Sequence, residues 1–139
     1  MQIGPFLADL MLMKLGRWLR LAGEDVANPE GCIEDADLIV KARKEGRVLL
    51  TRDKALLARC RKGGADCLLI QSSDLDDQLA QMVDLGLDLR LDPKRCTLCN
   101  APLYMGGDRW ICTGCGKAYW QGSHWDGIDA RMARIRKRI

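Results

Sequence analysis

The sequence lacks long apolar runs and contains only one histidine, and both features restrict its possible functions. No apolar stretch reaches the roughly 20 residues that a membrane-spanning helix needs. The first residues also lack the basic region and apolar core of a signal peptide. The single histidine, His124, has no evident partner in the sequence, so we expect it to pack or hydrogen-bond rather than catalyse. We therefore expect a soluble cytoplasmic protein that has no membrane partner.

Cysteine, by contrast, is abundant, with seven in 139 residues. An odd number in a chain without an export signal favours metal binding over disulfides. Four of the cysteines form two Cys-x-x-Cys pairs separated by twelve residues, Cys96 with Cys99 and Cys112 with Cys115. Four thiolates at this spacing predict a structural zinc ion in a zinc ribbon, although a single pair can also support redox chemistry. Cys32, Cys60 and Cys67 are expected to be buried as small apolar side chains.

The net charge of +3 hides two halves of opposite sign. Residues 1–93 contain 13 Lys and Arg against 16 Asp and Glu, a net charge of −3, whereas residues 94–139 contain 9 against 3, a net charge of +6. This asymmetry predicts an acidic domain that holds cations and a basic part that attracts a polyanion. We divide the chain into an α/β domain (1–93), a four-cysteine ribbon (94–125) and a basic tail (126–139).

The first 93 residues alternate between short apolar runs and segments of helical periodicity. This pattern predicts an α/β domain with a largely parallel sheet. The predicted strands cover residues 3–8, a short segment around Val26, 48–50 and 67–70. The predicted helices cover residues 10–22, 36–45, 54–61 and 73–85, the last opening on Ser73 and Asp76 at capping-box spacing.

Carboxylates follow several of these predicted elements. Asp9 ends the first strand, Asp53 follows the third strand with Thr51 and Arg52 beside it, and Asp35 and Asp37 open the second helix. Each could simply cap a helix. In parallel α/β sheets, however, the functional crevice lies beyond the carboxyl ends of the strands, so this set also predicts a shared site. Asp74, after the fourth strand, is a weaker fourth candidate.

Two basic segments are candidates for binding nucleic acid. Lys14, Arg17 and Arg20 lie on the polar side of the first predicted helix, where they could contact phosphates or simply face solvent. The second segment combines aromatic and basic residues: Tyr119, Trp120, His124 and Trp125, then Arg131, Arg134, Arg136, Lys137 and Arg138. Such a mixture suits base stacking and phosphate contact. The aromatic residues could equally pack the ribbon against the first domain.

Four segments taken together resemble the Mut7-C RNase family, in which a PIN-like nuclease domain precedes a zinc ribbon. They are residues 6–9 (FLAD), 14–20 (KLGRWLR), 45–53 (EGRVLLTRD) and 119–125 (YWQGSHW). The resemblance implies a PIN-like sheet and metal-dependent cleavage of RNA. By position, the family's acidic residues fall on Asp9, on Asp35 or Asp37, and on Asp53.

The chemistry of these residues agrees with that implication. Mg²⁺ or Mn²⁺ prefers carboxylate and water ligands, and clustered carboxylates repel one another unless a cation neutralises them. We therefore expect Asp9, Asp37 and Asp53 to bind Mg²⁺ or Mn²⁺ and the cysteines to bind Zn²⁺. The predicted function is a metal-dependent ribonuclease, and the alternative is a noncatalytic RNA- or ribosome-associated binding module.

Overall fold

The computed structural model describes residues 3–120 and 123–138, except for the side chains of residues 120, 123 and 124. The chain forms a parallel four-stranded sheet flanked by helices, followed by a small antiparallel sheet that carries the cysteines. The predicted α/β class is confirmed. Among the described residues, no helix is long and apolar enough to cross a membrane. The side chains of Trp120 and His124, part of the predicted aromatic segment, lie outside the described residues.

The parallel sheet alternates with four helices along the chain. Its strands are β1 (Phe6–Ala8), β2 (Val26–Ala27), β3 (Val48–Thr51) and β4 (Cys67–Leu69), arranged in the order β2-β1-β3-β4. The helices that follow these strands are α1 (Met13–Leu21), α2 (Asp35–Glu45), α3 (Lys54–Lys62) and α4 (Leu75–Asp84). All three strand pairings are parallel. The carboxyl ends of the strands therefore share one edge.

The second half of the chain contributes three strands and a helix. These are β5 (Leu103–Gly106), β6 (Arg109–Cys112), β7 (Ala118–Trp120) and α5 (Ser123–Lys137). The three strands pair antiparallel in sequence order. We refer to residues 94–120 as the ribbon.

Helices cover both faces of the parallel sheet, and successive strand residues point to opposite sides. Phe6 and Ala8 face a core formed with α1, α4 and α5, whereas Leu7 faces a second core formed with α2 and α3. Burial on both faces explains why these strands read as continuous apolar runs rather than alternating ones.

Helix α5 belongs to the first of these cores, although it includes the basic segment of the sequence. Its residues Ile128, Met132 and Ile135 are buried, Met132 completely. The helix begins at Ser123, so it crosses the boundary that we placed at residue 126. Its cations therefore lie on a helix that packs into this core.

The first helix begins later than predicted. Residues Leu10–Leu12 form a 3-10 turn, and the α-helix begins only at Met13. The Asp9 side chain accepts the Leu10 N–H at 2.7 Å, and the Asp9 carbonyl accepts the Leu12 N–H at 2.8 Å. These two short-range bonds favour the tighter turn.

The cap of α4 also differs from the predicted Ser73–Asp76 capping box. Asp74 is the N-cap, and its side chain accepts the Asp77 N–H at 3.1 Å. The prediction was wrong by one position because two polar residues, Ser73 and Asp74, both suit an N-cap and the spacing alone did not distinguish them.

The ribbon covers the free edge of β2. The Asn100 side chain accepts the Val26 N–H at 2.9 Å and donates to Asp25 Oδ1 at 2.6 Å. Asn100 has a left-handed backbone (φ 68°), as Gly116 has after the second cysteine pair (φ 77°). An unpaired strand edge exposes backbone donors and acceptors. Here the loop after Cys99 satisfies one of them and fixes the ribbon to the sheet.

Candidate functional site

The strand order β2-β1-β3-β4 places a switch point between β1 and β3. The chain leaves β1 towards β2 on one side and later returns to β3 on the other side. In open parallel sheets the crevice at such a point, beyond the carboxyl ends of the strands, is where ligands bind. Asp9 follows β1 and Asp53 follows β3 at this edge.

One buried hydroxyl connects these two carboxylate residues. Thr51 Oγ1 donates to Asp9 Oδ2 at 2.8 Å and accepts the Asp53 backbone N–H at 3.0 Å. Thr51 is completely buried, whereas Asp9 is half-buried and Asp53 is exposed. The threonine therefore fixes the two residues relative to each other and leaves their carboxylates accessible from solvent.

Asp53 is also a helix cap, as its position suggested. Its Oδ1 accepts the N–H groups of Ala55 (2.8 Å) and Leu56 (3.4 Å) at the start of α3. The capping role uses only Oδ1, and Oδ2 has no hydrogen-bond partner within the described part of the chain. Capping and cation binding are thus compatible in Asp53.

The two carboxylates at the start of α2 have different surroundings. Asp37 Oδ2 accepts the backbone N–H groups of Ile33 (2.9 Å) and Glu34 (3.0 Å), which forms a capping box with Glu34. These bonds hold the pKa of the Asp37 carboxyl below its usual value. Asp35 instead lies 3.3 Å from Arg59 of α3. Asp37 is thus engaged in capping, while Asp35 faces the helix that Asp53 begins.

Arg52 and Asp74 complete the predicted set at this edge. The Nε of Arg52 is buried and has no hydrogen-bond partner among the described residues. Asp74 follows β4, the neighbour of β3, and caps α4 through Oδ2. The described side chains show no cluster of three or more carboxylates comparable to the cysteine cluster, so a catalytic ion at this edge stays a prediction.

The four ribbon cysteines form a second candidate site. Their sulfur atoms all lie within 4.8 Å of one another, with 3.7 Å between Cys96 and Cys115 and 3.4 Å between Cys99 and Cys112. Zn–S bonds of about 2.3 Å in a tetrahedron place the sulfurs about 3.8 Å apart. The cysteines can therefore bind a metal ion such as zinc.

Two of these thiols have surroundings that favour the ligating thiolate form. Burial raises the pKa of Cys96, but hydrogen bonds from Tyr119 and the backbone outweigh it and lower the pKa to about 6. The Tyr119 hydroxyl lies 3.1 Å from Cys96 Sγ. Burial likewise opposes ionisation of Cys112, but the N–H groups of Cys115 and Gly114 lower its pKa overall. In contrast, a backbone hydrogen bond lowers the pKa of Cys99, but burial and hydrogen bonding to the other cysteines of the cluster outweigh it and raise that pKa to about 12.

The basic residues of α1 differ in accessibility. Lys14 and Arg17 are exposed, but Arg20 is only 1% exposed. Its guanidinium donates to the carbonyls of Val26 and Thr97 and to Asn28 Oδ1, at 2.6 to 2.8 Å. Because these acceptors occupy the buried group, we remove Arg20 from the residues predicted to contact phosphate.

The basic residues of α5 are also largely engaged within the protein. Arg131 lies 2.7 Å from Asp76 and over the Trp18 ring, and Arg138 lies 2.6 Å from Asp77. Arg136 donates to the Leu89 carbonyl. The remaining two, Arg134 and Lys137, are exposed and have no partner in the described ranges. These contacts attach α5 to α1 and α4 and leave Arg134 and Lys137 as the accessible cations of the segment.

Two residues that matter to these sites are absent from the sequence-based set. Asn100 joins the ribbon to β2. The sequence contained one indication of its special position: Asn100 follows Cys99 as Gly116 follows Cys115, and both residues have a left-handed backbone. Lys117 lies over the Tyr119 ring, with 5.1 Å from Nζ to the centroid. A lone lysine in a loop gives no comparable signal.

The chain thus combines an α/β domain, whose parallel sheet has acidic residues at its carboxyl edge, with a ribbon whose four cysteines could bind a metal ion. The model of the Mut7-C RNAse domain matches residues 5–107 and 104–132, which is most of the chain. The chain therefore belongs to the Mut7-C RNase domain family. Neither a curated protein nor a solved structure matches it.

Proposed function

We propose that this protein is a metal-dependent ribonuclease whose active site lies at the carboxyl ends of β1 and β3. The observation that carries the proposal is the Asp9–Thr51–Asp53 hydrogen-bond network at the switch point of the sheet, in a chain of an RNase domain family. Membership of the family supports a nuclease- or RNA-related role. The network supports the assignment of particular residues.

The donor set at this edge suits a hard divalent cation. Mg²⁺ and Mn²⁺ bind through few carboxylates and keep several waters, so the incomplete protein shell of Asp9 and Asp53 is compatible with them. When bound there, such an ion would lower the pKa of a coordinated water and stabilise charge on the phosphate. Asp35 is the third ligand that we favour over Asp37, because it lies 3.3 Å from Arg59 of α3, the helix that Asp53 begins.

The remaining residues of the site have positioning roles in this proposal. Thr51 holds the Asp9 carboxylate in one orientation through its hydroxyl. Arg52, whose Nε lacks a partner in the described structure, can offer its guanidinium to a phosphate oxygen, because Arg donates bidentate hydrogen bonds to such groups. The ribbon, with a zinc ion on its cysteines, and the exposed cations Arg134 and Lys137 would help bind RNA.

The test is an Asp53→Asn variant assayed for RNA cleavage with Mn²⁺ or Mg²⁺. Asparagine caps helices about as well as aspartate, so folding should survive. Loss of an outer-shell partner lowers the activity of a metal site by about 10- to 100-fold. Because Asp53 is proposed to bind the ion directly, the rate of cleavage should fall by more than this. The matched control is Asp66→Asn, an exposed carboxylate that precedes β4 at the opposite edge of the same sheet, and it should cleave like the parent.

Two outcomes would change the proposal. Equal cleavage by Asp53→Asn and the parent would reduce Asp53 to a helix cap. A parent protein that binds varied RNAs but cleaves none with either ion would instead favour the noncatalytic binding module. The variants Asp35→Asn and Asp37→Asn, measured in parallel, show which carboxylate of α2 contributes to cleavage. We expect the larger loss of cleavage for Asp35→Asn.

A further inference from the structure

A cleft of about 360 Å³ lies between helices α1 and α5 and the ribbon, and none of the carboxylates of the proposed active site lines it. Its aromatic lining is provided by Trp18 of α1, Tyr119 of β7 and Trp125 of α5. The cleft is therefore assembled from all three parts of the chain. Its surface is mainly apolar, which is typical of sites that enclose a flat organic group.

The charged residues that line this cleft all have the same sign. Lys14, Arg17 and Lys117 are exposed at its rim, and none of its lining residues in the described chain is acidic. Lys14 and Arg17 have no ion-pair partner among the described residues, in contrast to Arg131 and Arg138 on α5. An apolar interior with an uncompensated cationic rim is complementary to an aromatic ligand that carries negative charge.

Two of the aromatic walls are held in place by contacts within the protein. The Tyr119 hydroxyl lies 3.1 Å from both Cys96 Sγ and Thr97 Oγ1, so the cysteine cluster positions this ring. Trp125 stacks on Trp110, with ring centroids 4.9 Å apart and planes inclined by 26°. Aromatic surfaces fixed in this way lose little freedom when a flat ligand stacks on them.

We propose that this cleft binds a base of single-stranded RNA, with the neighbouring phosphates on Lys14, Arg17 and Lys117. The choice of RNA as the ligand rests on the proposed function, whereas the aromatic and cationic character of the cleft is observed directly in its lining residues. Base stacking on aromatic side chains together with a cationic groove is how proteins bind single strands without reading sequence. Duplex RNA keeps its bases stacked inside, so it does not fit an interior cleft of this kind.

The cleft also has a defined relation to the carboxylate edge. Lys14 lies in the first turn of α1, and α1 follows the 3-10 turn that begins directly after Asp9. Lys14, at the rim of the cleft, is thus five positions from Asp9 along the chain.

The first experiment measures binding of a fluorescently labelled single-stranded oligouridylate at several salt concentrations. Binding is measured without added Mg²⁺ or Mn²⁺, so that the RNA stays intact whichever residues form the active site. The variant Lys14→Gln/Arg17→Gln is compared with Lys44→Gln/Lys62→Gln, which removes two exposed lysines elsewhere. Each lost phosphate contact on a single strand lowers the slope of log K against log salt by about 0.7. We expect a decrease of about 1.4 for the first pair and none for the control.

The second experiment tests the base. An oligonucleotide of the same length and charge, but with abasic sites, should bind about tenfold more weakly than oligouridylate, since stacking of one base contributes about that factor or more. The binding affinity for an RNA duplex of equal length should decrease less when Lys14 and Arg17 are replaced. Equal binding of the abasic strand, or equal salt slopes for the two variant pairs, would overturn the proposal.

These measurements are independent of cleavage. If Asp53→Asn cleaves RNA as well as the parent while the Lys14→Gln/Arg17→Gln pair still loses binding, the cleft assignment stands and the active-site assignment fails. If instead Asp53→Asn loses cleavage while the Lys14→Gln/Arg17→Gln pair binds RNA like its control, the cleft assignment fails and the active-site assignment stands. Failure of the parent to bind any RNA contradicts both.

Discussion

Thr51 Oγ1 lies 2.8 Å from Asp9 Oδ2, and this hydrogen bond joins two neighbouring parallel strands at the point where they end. The same oxygen accepts the Asp53 N–H. The hydroxyl therefore uses its donor on one carboxylate residue and an acceptor on the other. A change at this buried position is expected to affect both residues at once.

Thr51→Val tests this relation, because valine has nearly the shape of threonine but no hydroxyl. It removes the hydrogen bonds to the Asp53 N–H and to Asp9 Oδ2, which are only partly buried, and the net contribution of such a hydrogen bond is about 0.5–1.5 kcal/mol. We expect a decrease of that size in the free energy of unfolding, measured in urea, together with slower RNA cleavage. Thr51→Ser retains the hydroxyl and should recover most of both quantities. A Thr51→Val protein that matches the parent in both would show that the bond has no such role.

The cysteine cluster predicts one zinc ion per chain, measurable by mass spectrometry of the intact protein under native conditions. Cys99→Ser should abolish this binding and unfold the ribbon, because so short a segment depends on the metal for its stability. Cys32→Ser is the control, since Cys32 lies in the α/β half, outside the cluster. Full zinc content in Cys99→Ser would contradict the assignment of the four ligands.

Helix α5 gives a prediction about stability rather than RNA. Met132→Ala removes a completely buried side chain and should lower the free energy of unfolding by about 2–5 kcal/mol. Arg134→Ala, two positions away and exposed, should change it by less than about 0.5 kcal/mol. Similar values for the two variants would mean that α5 does not pack into the core in solution.

Some features could be predicted from the sequence and others could not, and the range of the interactions explains this difference. Alternating apolar runs and helical segments arise from local periodicity, so the α/β class and the cysteine cluster were accessible from the residues alone. The burial of Arg20 was not, because its acceptors include Thr97, which lies 77 positions away. The positions of Asn100 and Lys117 depend on the same packing of the ribbon against α1 and β2. Local patterns show that a residue is polar, but only the tertiary fold shows what it contacts.

Arg20 provides the sharpest test of how the ribbon is attached. Its Nε and Nη2 donate to the Val26 carbonyl and its Nη1 donates to the Thr97 carbonyl, so one planar group joins α1, β2 and the ribbon. Burial lowers the pKa of this guanidinium, but arginine keeps its charge at neutral pH. Lysine concentrates its donors on one atom and cannot span these separate acceptors.

Arg20→Lys should therefore lower the free energy of unfolding by about 1.5–3 kcal/mol, which is the contribution of a hydrogen bond made by a charged group. Arg17→Lys, one turn earlier on the exposed side of α1, should leave stability and RNA binding nearly unchanged. A second measurement separates attachment from general stability: limited proteolysis should cut Arg20→Lys near residues 92–95, where the chain enters the ribbon, faster than it cuts the parent or Arg17→Lys. If Arg20→Lys is destabilised but shows the parental cleavage pattern, Arg20 stabilises the α/β core alone and the ribbon is held by other contacts, such as that of Asn100.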